Sequence, residues 1–421
     1  MPIRHFATSI CLAAALAASG AAAELEKPSA AGDWPQWRGP RHDGSAAADQ
    51  TPPLEWSAGE NILWKTPVPG RGHGSASVVG PRVFLAAADR EAAKQWLIGY
   101  DRASGKELWR TVVHEGDMPT GGHEKSTLAS STPASDGERL FINFINGDAA
   151  YTSALSLDGK LLWQTKLTPY VIHQGYGSSP LIHGPLVIAS ADNKSGGAVV
   201  GMDRESGKVL WRRERPAKPN YSSPIVLRAA GRDQLILTGC DLVTSLDPAS
   251  GEVIWEIEGA TTECVTTPVT DGQVIIASGG YPKSFTGAIA ADGSGKTLWE
   301  VNDRSYVPSL IYNEGYLYAV LDAGIATCRD MKTGEERWKK RLGGTFSSSP
   351  VLVGNRIYAT NEEGETFIYL ASPESYQQLG ENSLGDNVIA TPTLLDGRIY
   401  NRVAFIEGQE RQEYLICIGE G

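Results

Sequence analysis

The sequence Asp101-Arg-Ala-Ser-Gly-Lys-Glu-Leu-Trp109 has five further versions along the chain. Each version begins with aspartate, continues through a turn that contains glycine and ends in tryptophan. The other copies occupy residues 158–163, 203–211, 247–255, 292–299 and 330–338. Their tryptophans follow one another at intervals of 39–54 residues. Repeats of this length that are built from short strands are typical of β-propeller blades, so the motif predicts a propeller.

A second repeated pattern gives the number of blades. It consists of small residues, usually serine or threonine before proline, then a polar turn, and then a strand rich in valine, isoleucine and tyrosine. Its copies begin at residues 74, 131, 178, 222, 266, 307, 348 and 390. Small residues suit the innermost strand, where blades crowd the axis, and proline is tolerated at a strand start. The predicted fold is all-β: an eight-bladed propeller of four-stranded antiparallel blades, with seven blades as the alternative count.

The last repeat has no tryptophan after it, so its outer strand must come from elsewhere in the chain. Residues 61–66, Asn-Ile-Leu-Trp-Lys-Thr, have the composition of such a strand. We predict that this segment pairs with the C-terminal strand at residues 414–418, because joining the two ends closes the ring and removes open edges. In the seventh repeat, residues 372–379 replace the tryptophan motif, and we interpret them as a decayed copy.

The residues before the propeller (61–421) divide into two parts. Residues 1–23 combine a basic start, a short apolar run and a small-residue cleavage site, which is typical of a Sec-type secretory signal peptide. Residues 24–60 are then an N-terminal extension that packs on the propeller. Cys11 lacks the preceding residues of a lipoprotein signal, and no apolar run is long enough to span a bilayer. We expect a periplasmic or secreted protein without a membrane span.

Charge and cysteine content restrict the partners. The formal net charge is −11, and the sequence has no lysine or arginine runs, which argues against nucleic acid and anionic membranes as partners. We expect a monomer that binds a protein or glycan partner. Cys240 and Cys264 fall in loops of adjacent blades; they could form a disulfide in an oxidising compartment or remain two buried thiols.

The loops that join the blades, and the loops after each second strand, share one face of a propeller around its central funnel. They carry aromatic, acidic and a few basic residues, the mixture found at polar ligand sites. The alternative is that these loops are polar only to satisfy their own backbones. We predict a ligand site with aromatic and cationic contacts and with three carboxylates as acceptors or a cation seat: Tyr176, Tyr221, Arg304, Tyr306, Phe346, Asp192, Asp241 and Glu263.

One loop of this face, residues 113–129, is unusually long, and loops of such length are usually functional or mobile. Its acidic residues and histidines are candidate metal ligands, but their spacing matches no standard zinc or calcium loop. We therefore predict no metal site and expect the loop to fold over the funnel mouth. Sequence motifs of nucleophilic catalysis are absent, and we predict no catalytic residue. The candidate metal ligands are His114, Glu115, Asp117, His123 and Glu124.

The repeated Asp-x-x-Ser/Thr-Gly-Lys/Glu-x-x-Trp motif resembles the repeat of pyrroloquinoline-quinone (PQQ) propellers, over essentially the whole chain after residue 23. The opening Asp33-Trp-Pro-Gln-Trp-Arg-Gly-Pro40, together with Asn61-Ile-Leu-Trp64 and Gly70-Arg-Gly-His73, is similar to exported PQQ-like repeat proteins of planctomycetes and related bacteria. This resemblance implies an exported eight-bladed propeller.

Two other relatives imply different functions. PQQ-dependent alcohol dehydrogenases hold the quinone in the funnel on a calcium or lanthanide ion and carry a disulfide between adjacent cysteines. This chain has no adjacent cysteines, and the metal ligands of that family cannot be matched to its residues. The periplasmic propeller of the outer-membrane protein assembly machine is similar in size, binds no quinone and offers its surface to a partner.

We therefore expect a non-enzymatic binding scaffold without a cofactor. The first alternative is a dehydrogenase in which Asp192, Asp241 and Glu263 hold calcium beneath PQQ. The second is a carbohydrate-binding propeller, because aromatic platforms beside carboxylates suit sugars.

Overall fold

A computed structural model describes residues 32–421 of the chain. These residues form eight four-stranded antiparallel sheets, and the innermost strands of neighbouring sheets contact one another. The predicted eight-bladed β-propeller is confirmed. The predicted signal peptide, residues 1–23, lies outside the described residues. Within the described part of the chain, no helix has the length and apolarity that crossing a membrane requires.

The first four blades follow the chain in order, each from its innermost to its outermost strand. Blade 1 contains β2 (Ser77–Val79), β3 (Arg82–Asp89), β4 (Lys94–Asp101) and β5 (Glu107–Glu115). Blade 2 contains β6 (Ala134–Ser135), β7 (Arg139–Asn146), β8 (Ala149–Ser156) and β9 (Leu161–Pro169). Blade 3 contains β10 (Leu181–His183), β11 (Leu186–Ser190), β12 (Gly197–Asp203) and β13 (Val209–Arg215). Blade 4 contains β14 (Ile225–Ala229), β15 (Arg232–Gly239), β16 (Leu242–Leu246) and β17 (Val253–Glu258).

The last four blades have the same order, except that the outer strand of blade 8 comes from the N-terminal end. Blade 5 contains β18 (Val269–Thr270), β19 (Val274–Gly279), β20 (Phe285–Ala290) and β21 (Thr297–Val301). Blade 6 contains β22 (Ile311–Asn313), β23 (Tyr316–Leu321), β24 (Ile325–Asp330) and β25 (Glu336–Arg341). Blade 7 contains β26 (Val351–Val353), β27 (Arg356–Thr360), β28 (Glu365–Leu370) and β29 (Gln378–Ser383). Blade 8 contains β30 (Thr393–Leu395), β31 (Arg398–Glu407), β32 (Glu410–Ile418) and β1 (Ile62–Val68).

The ring closes in blade 8 as the sequence predicts. Strand β1 pairs antiparallel with β32, in a register that places Lys65 opposite Ile416 and Val68 opposite Glu413. The outer strand that the last repeat lacks is therefore supplied by the N-terminal end. The decayed seventh repeat also keeps its outer strand, since β29 pairs with β28.

The repeated tryptophans join each blade to the next. The indole Nε1 of Trp109 donates a hydrogen bond to the Leu157 carbonyl in blade 2, at 3.0 Å. Gly159 of that turn has φ +84°, and a Cβ there would lie 2.5 Å from the indole, which explains why the motif needs glycine beside tryptophan. Corresponding bonds to the following blade run from Trp64, Trp163, Trp211, Trp299 and Trp338.

Blade 4 is the exception to this arrangement. Trp255 Nε1 donates to Gln234 Oε1 of its own blade, at 2.9 Å. The glycine of the next turn, Gly295, approaches Ile257 closely instead of the indole. The blade 4–blade 5 junction therefore has the same motif but lacks the inter-blade indole bond.

The small polar residues of the inner strands form a hydroxyl ring around the axis. The amide of Thr132 donates to Ser179 Oγ at 2.9 Å, and the amide of Ser179 donates to Ser223 Oγ at 2.9 Å. Equivalent bonds link six of the eight blade junctions. The hydroxyl ring consists of Ser75, Thr132, Ser179, Ser223, Thr267, Ser309, Ser349 and Thr391, and it divides the axial channel into two ends.

Residues 32–50, which we call the plug segment, lie across the end of the channel opposite the funnel. The segment pairs with blade 1 through Trp34, whose amide donates to the Val78 carbonyl at 2.8 Å, and with blade 7 through Ala46, whose amide donates to the Leu352 carbonyl at 2.8 Å. Its hydrogen-bond partners sit on or beside the inner strands, after the hydroxyl ring in sequence: Val78, Ser135, Ile182, Leu310 and Leu352. The plug segment therefore closes one end of the channel.

Candidate functional site

The funnel end of the channel is a cavity of about 660 Å³. Its lower wall includes Thr132, Ser179, Ser223, Ser349 and Thr391 of the hydroxyl ring, and the indole of Trp37 from the plug segment lies at its bottom. Because the plug segment fills the opposite end, the cavity opens at the funnel in the part of the chain that the structure describes. Its volume falls within the range of about 300–1,000 Å³ that small-molecule sites occupy.

Aromatic side chains form much of the upper wall: Tyr176, Tyr221, Tyr306 and Phe346 all line the cavity. The tyrosine hydroxyls are bonded to the protein. That of Tyr176 donates to the Ser190 carbonyl at 2.9 Å, and that of Tyr221 accepts from the Gln174 amide at 3.2 Å. Burial raises the pKa of all three tyrosines above the ordinary value, so they stay neutral. What they present to a ligand is mainly ring surface.

Arg304 supplies a cation at the cavity mouth. Its side chain is exposed, and its guanidinium carbon lies 6.0 Å from the centre of the Tyr306 ring. All five aromatic and cationic residues that the sequence predicts as ligand contacts thus border one cavity. Their contact with a ligand stays a prediction.

The three predicted carboxylates lie elsewhere, and each is bonded to the protein. Asp192 forms an ion pair of 3.2 Å with Arg215, and both side chains are 1% exposed. Asp241 accepts from the Lys218 ammonium at 2.6 Å. Burial would raise the pKa of Asp241, but the hydrogen bonds from Lys218 and Thr262 bring it below the ordinary value. These carboxylates serve the structure of the blade 3–blade 5 loops.

Glu263 is the third of these carboxylates. It accepts from the Tyr306 hydroxyl at 2.8 Å, and its other oxygen lies 3.1 Å from His173 Nε2. Glu263 therefore positions one of the aromatic walls from behind, without lining the cavity. The structure does not bring Asp192, Asp241 and Glu263 together as a cation seat.

The carboxylates that do line the cavity are Glu124, Asp322 and Glu362. Asp322 accepts the backbone N–H groups of Tyr306 and Val307, at 2.8 and 3.3 Å. Burial raises the pKa of Asp322, and these two N–H groups oppose the rise. Glu362 is instead bonded by the side chains of Lys125 and Ser347.

Lys125 and Glu362 form an ion pair at the funnel mouth that sequence reasoning missed. The ammonium lies 2.7 Å from Glu362 Oε2, and Ser347 donates to the other oxygen at 2.6 Å. Lys125 belongs to the long loop between blades 1 and 2, whereas Glu362 belongs to blade 7, so the pair reaches across blades 8 and 1. The sequence placed both residues in loops of this face but gave no signal that they would meet.

His73 and Trp37 also line the cavity without having been selected from the sequence. Burial, together with the nearby charges of Arg402, Arg71 and Arg411, lowers the pKa of His73 to about 3. Its Nε2 atom and the Trp37 Nε1 atom are buried without a hydrogen-bond partner. Trp37 and His73 belong to the stretches 33–40 and 70–73, which resemble exported PQQ-like repeat proteins. That resemblance was the signal for them in the sequence.

The long loop divides its candidate metal ligands between different places. His114 is buried beside Phe144 and Tyr151, and burial lowers its pKa to about 4. His123 and Glu124 line the cavity instead. Among residues 32–421, no three His, Cys, Asp or Glu side chains come together as a group that could hold a metal ion. The loop does border the funnel, as expected.

Of the two alternatives for Cys240 and Cys264, the structure has the two buried thiols. Cys240 and Cys264 are both free, buried thiols. The Cys240 thiol points to Asp192 Oδ2 and the Lys218 carbonyl, each at 3.6 Å. That of Cys264 lies 3.4 Å from the Thr261 hydroxyl. Each sulfur therefore packs against its own polar neighbours.

The fold family implies a quinone held by calcium. Whether this cavity fits that group depends on the oxygen atoms that could bind calcium. Calcium takes about 6–8 oxygen ligands. Two of the three carboxylates that line this cavity, Glu362 and Asp322, are instead committed to Lys125, Ser347 and backbone N–H groups, and Glu124 alone cannot supply the ligand set. The residues present do not fit a metal-held PQQ in the funnel.

The fold and cavity define an eight-bladed propeller of PQQ-like repeats whose channel is closed at one end. A family model described as outer membrane protein assembly factor BamB matches residues 93–340 and 284–374. The chain belongs to this family.

Individual relatives point to the same family. Outer membrane protein assembly factor BamB of Burkholderia pseudomallei (strain K96243) is 23% identical over 341 residues, covering 78% of this chain and 81% of the relative. A polyvinylalcohol dehydrogenase of Pseudomonas sp is 25% identical over 217 residues, which cover 48% of this chain and 32% of that protein.

Solved structures show the same fold in two functional classes. BamB from Moraxella catarrhalis superposes with a TM-score of 0.61 at 15% identity, covering 84% of this chain and 98% of the other. The quinohemoprotein alcohol dehydrogenase from Comamonas testosteroni superposes with a TM-score of 0.64 at 13% identity, covering 95% and 82%. These likenesses concern the fold.

Proposed function

We propose that this chain is an exported binding propeller without catalytic activity, and that its funnel cavity takes a small polar ligand or a segment of a protein partner. The observation that carries the proposal is the cavity of about 660 Å³, open at the funnel, with aromatic walls and a hydroxyl ring at its base. Glu362, Asp322 and Glu263 are bonded to lysine, tyrosine, hydroxyl and backbone N–H groups, which favours recognition over proton transfer.

The chemistry of the walls suggests what the ligand presents. Tyr221 and Tyr306 offer ring surfaces that pack against a flat apolar face. Ser223 and Ser349 add hydroxyl groups below them, and Arg304 adds a cation at the mouth. An oligosaccharide or a peptide side chain with a polar end has this combination of surfaces.

Family membership supports a partner-binding role. The relatives named as outer membrane protein assembly factors match most of the chain. A protein partner and an exported location, with the signal peptide at residues 1–23, are the corresponding proposals for this chain. We also propose that it acts as a monomer.

A PQQ- and calcium-dependent dehydrogenase is the alternative. The fold likeness to quinohemoprotein alcohol dehydrogenases supports it. The bonded carboxylates of the funnel argue against it, because they leave calcium without a cluster of oxygen ligands. A titration with PQQ, described at the end of the Discussion, decides between the two.

Enrichment on immobilised protein tests the binding proposal. The probes are a library of random hexapeptides and a panel of neutral oligosaccharides. Val265 lines the cavity and is half-buried, so Val265→Trp fills part of the cavity without removing a charge. We expect the wild-type protein to enrich a consensus from one probe class and Val265→Trp to lose it.

Leu210→Trp is the matched control, since Leu210 is 52% exposed on the outer strand of blade 3. This variant should enrich the same consensus as the wild type. Equal enrichment by the wild type and Val265→Trp would contradict the assignment of the cavity as the binding site.

A further inference from the structure

The plug segment buries an arginine that has no acidic partner. Arg38 is 2% exposed. Its Nη2 donates to the Asp43 carbonyl at 2.8 Å and to the Leu310 carbonyl of blade 6. A guanidinium has five N–H donors, and the Nε and Nη1 atoms of Arg38 have no hydrogen-bond partner. Three N–H donors of a buried cation are therefore left unused.

Two further residues near Arg38 carry buried polar atoms without a partner among residues 32–421. A void of about 10 Å³ lies beneath the cavity floor, bordered by Arg38, Trp37 and Ser75. The Trp37 Nε1 and Ser75 Oγ atoms are buried without a hydrogen-bond partner. The other two hydroxyls on this void are occupied: Thr391 accepts from the Ser349 amide, and Thr393 donates to the Ala76 carbonyl. The unused groups can all donate.

The backbone is shaped to admit the guanidinium. Gly44 has φ +77°, and a Cβ at this position would lie 2.6 Å from the Arg38 Cζ atom. Any other residue would therefore displace Arg38. The site depends on a glycine and an arginine of the same short segment.

Charge distinguishes what would fill the void. Asp43 is the nearest opposing charge that acts on Arg38, but its carboxylate is 35% exposed and binds Arg41 at 3.3 Å and the Ser45 amide at 2.8 Å. Burial lowers the pKa of Arg38 to about 10, and Asp43 opposes the change, so the group is still a cation at neutral pH. A buried charge without a counter-charge is strongly unfavourable.

We propose that this void is a binding site for one small monovalent anion, chloride under physiological conditions, held by Arg38, Trp37 and Ser75. The centre of a water-sized sphere has about 10 Å³ of space in this void, which leaves room for one monatomic ion and excludes the larger phosphate, sulfate and carboxylates. Three bordering residues with unused donors select against a metal cation. The site lies on the opposite side of Trp37 from the funnel cavity, and it does not rest on the function proposed above.

Bromide provides the direct test, because it replaces chloride and its anomalous scattering identifies it. Crystals of the protein grown in sodium bromide should show an anomalous peak among Arg38 Nη1, Trp37 Nε1 and Ser75 Oγ. A peak-free site at saturating bromide, filled by a water molecule, would overturn the proposal.

Thermal unfolding in solution gives a second readout. At matched ionic strength, the unfolding midpoint should rise with chloride concentration relative to sodium gluconate, whose anion is too large for the void, as expected for a ligand that binds only the folded state. Ser75→Ala should weaken the apparent chloride affinity about tenfold, the effect of losing one hydrogen bond to a charged group.

Ser131→Ala is the matched control. Ser131 Oγ is also buried and unpartnered, but Ser131 does not border the void. This variant should keep the wild-type chloride response. Equal midpoints in chloride and gluconate for the wild type, or equal responses of the two variants, would contradict the site.

Discussion

The two ends of the axial channel differ in the partners that they give to buried arginines. At the funnel end, buried charges have partners within the protein: Arg215 with Asp192, and Arg402 with Glu413 at 2.6 Å. At the plugged end, Arg38 is equally buried but has only carbonyl partners. The hydroxyl ring separates the two regions. The comparison shows that these buried arginines of the funnel end each have a carboxylate counter-charge, whereas Arg38 at the plugged end has none among residues 32–421.

The largest expected effect comes from removing the carboxylate partner of a buried arginine at the funnel end. Asp192→Ala leaves Arg215 buried and unpaired, and breaking such a pair costs about 3–5 kcal/mol. We expect the free energy of unfolding, measured by urea denaturation, to fall by this amount. Asp241→Ala should cost less than about 1 kcal/mol, because its pair with Lys218 is 45–46% exposed.

Equal losses for Asp192→Ala and Asp241→Ala would contradict this contrast. They would indicate that the two carboxylates share a role, as a ligand or cation site would require.

His73 gives a pH-dependent test of the cationic surroundings at the funnel end. Its pKa of about 3 lies below the ordinary value of 6.5, so the unfolded chain binds a proton between these values and the folded chain does not. Proton binding by the unfolded chain therefore lowers the free energy of unfolding as the pH falls below about 6.5. The loss from His73 is about 2 kcal/mol at pH 5.

His73→Asn should therefore lose less stability than the wild type between pH 7 and pH 5, by about 2 kcal/mol. Urea denaturation at both pH values measures the difference, and the other histidines cancel because both proteins contain them. Parallel pH profiles would show that His73 is not held neutral by its surroundings.

The smallest effect is expected at the Lys125–Glu362 pair. The Lys125 side chain is 53% exposed, so solvent screens the attraction. A double-mutant cycle with Lys125→Ala and Glu362→Ala should give a coupling below about 1 kcal/mol that shrinks with added salt. A larger, salt-independent coupling would show that the mouth is held shut by a strong buried contact.

The fold could be predicted because its signals repeat. Except at the blade 4–blade 5 junction, each copy of the tryptophan motif carries both halves of a blade contact, the indole and the glycine on which the previous indole packs, as Trp109 and Gly159 show. The missing eighth tryptophan likewise identified Trp64 as the closing residue. Repetition turned weak local patterns into a count of blades.

The sequence could predict a site residue only where its position within the repeat determines that it lies at the cavity. Tyr221 and Phe346 line the cavity because their place before an inner strand sends them there. Asp192 and Glu263 occupy comparable loops, but Arg215, Tyr306 and His173 arrive from other segments and take up their oxygens. Such pairings depend on side-chain positions that no motif in the sequence encodes, and the same holds for the two free thiols.

Calorimetric titration of the protein with PQQ, in the presence and absence of calcium, tests the central claim most directly. If the funnel cavity is a recognition site without a cation seat, calcium should add no saturable PQQ binding. Saturable, calcium-dependent binding of one PQQ per chain would contradict the account and establish the alternative quinoprotein function.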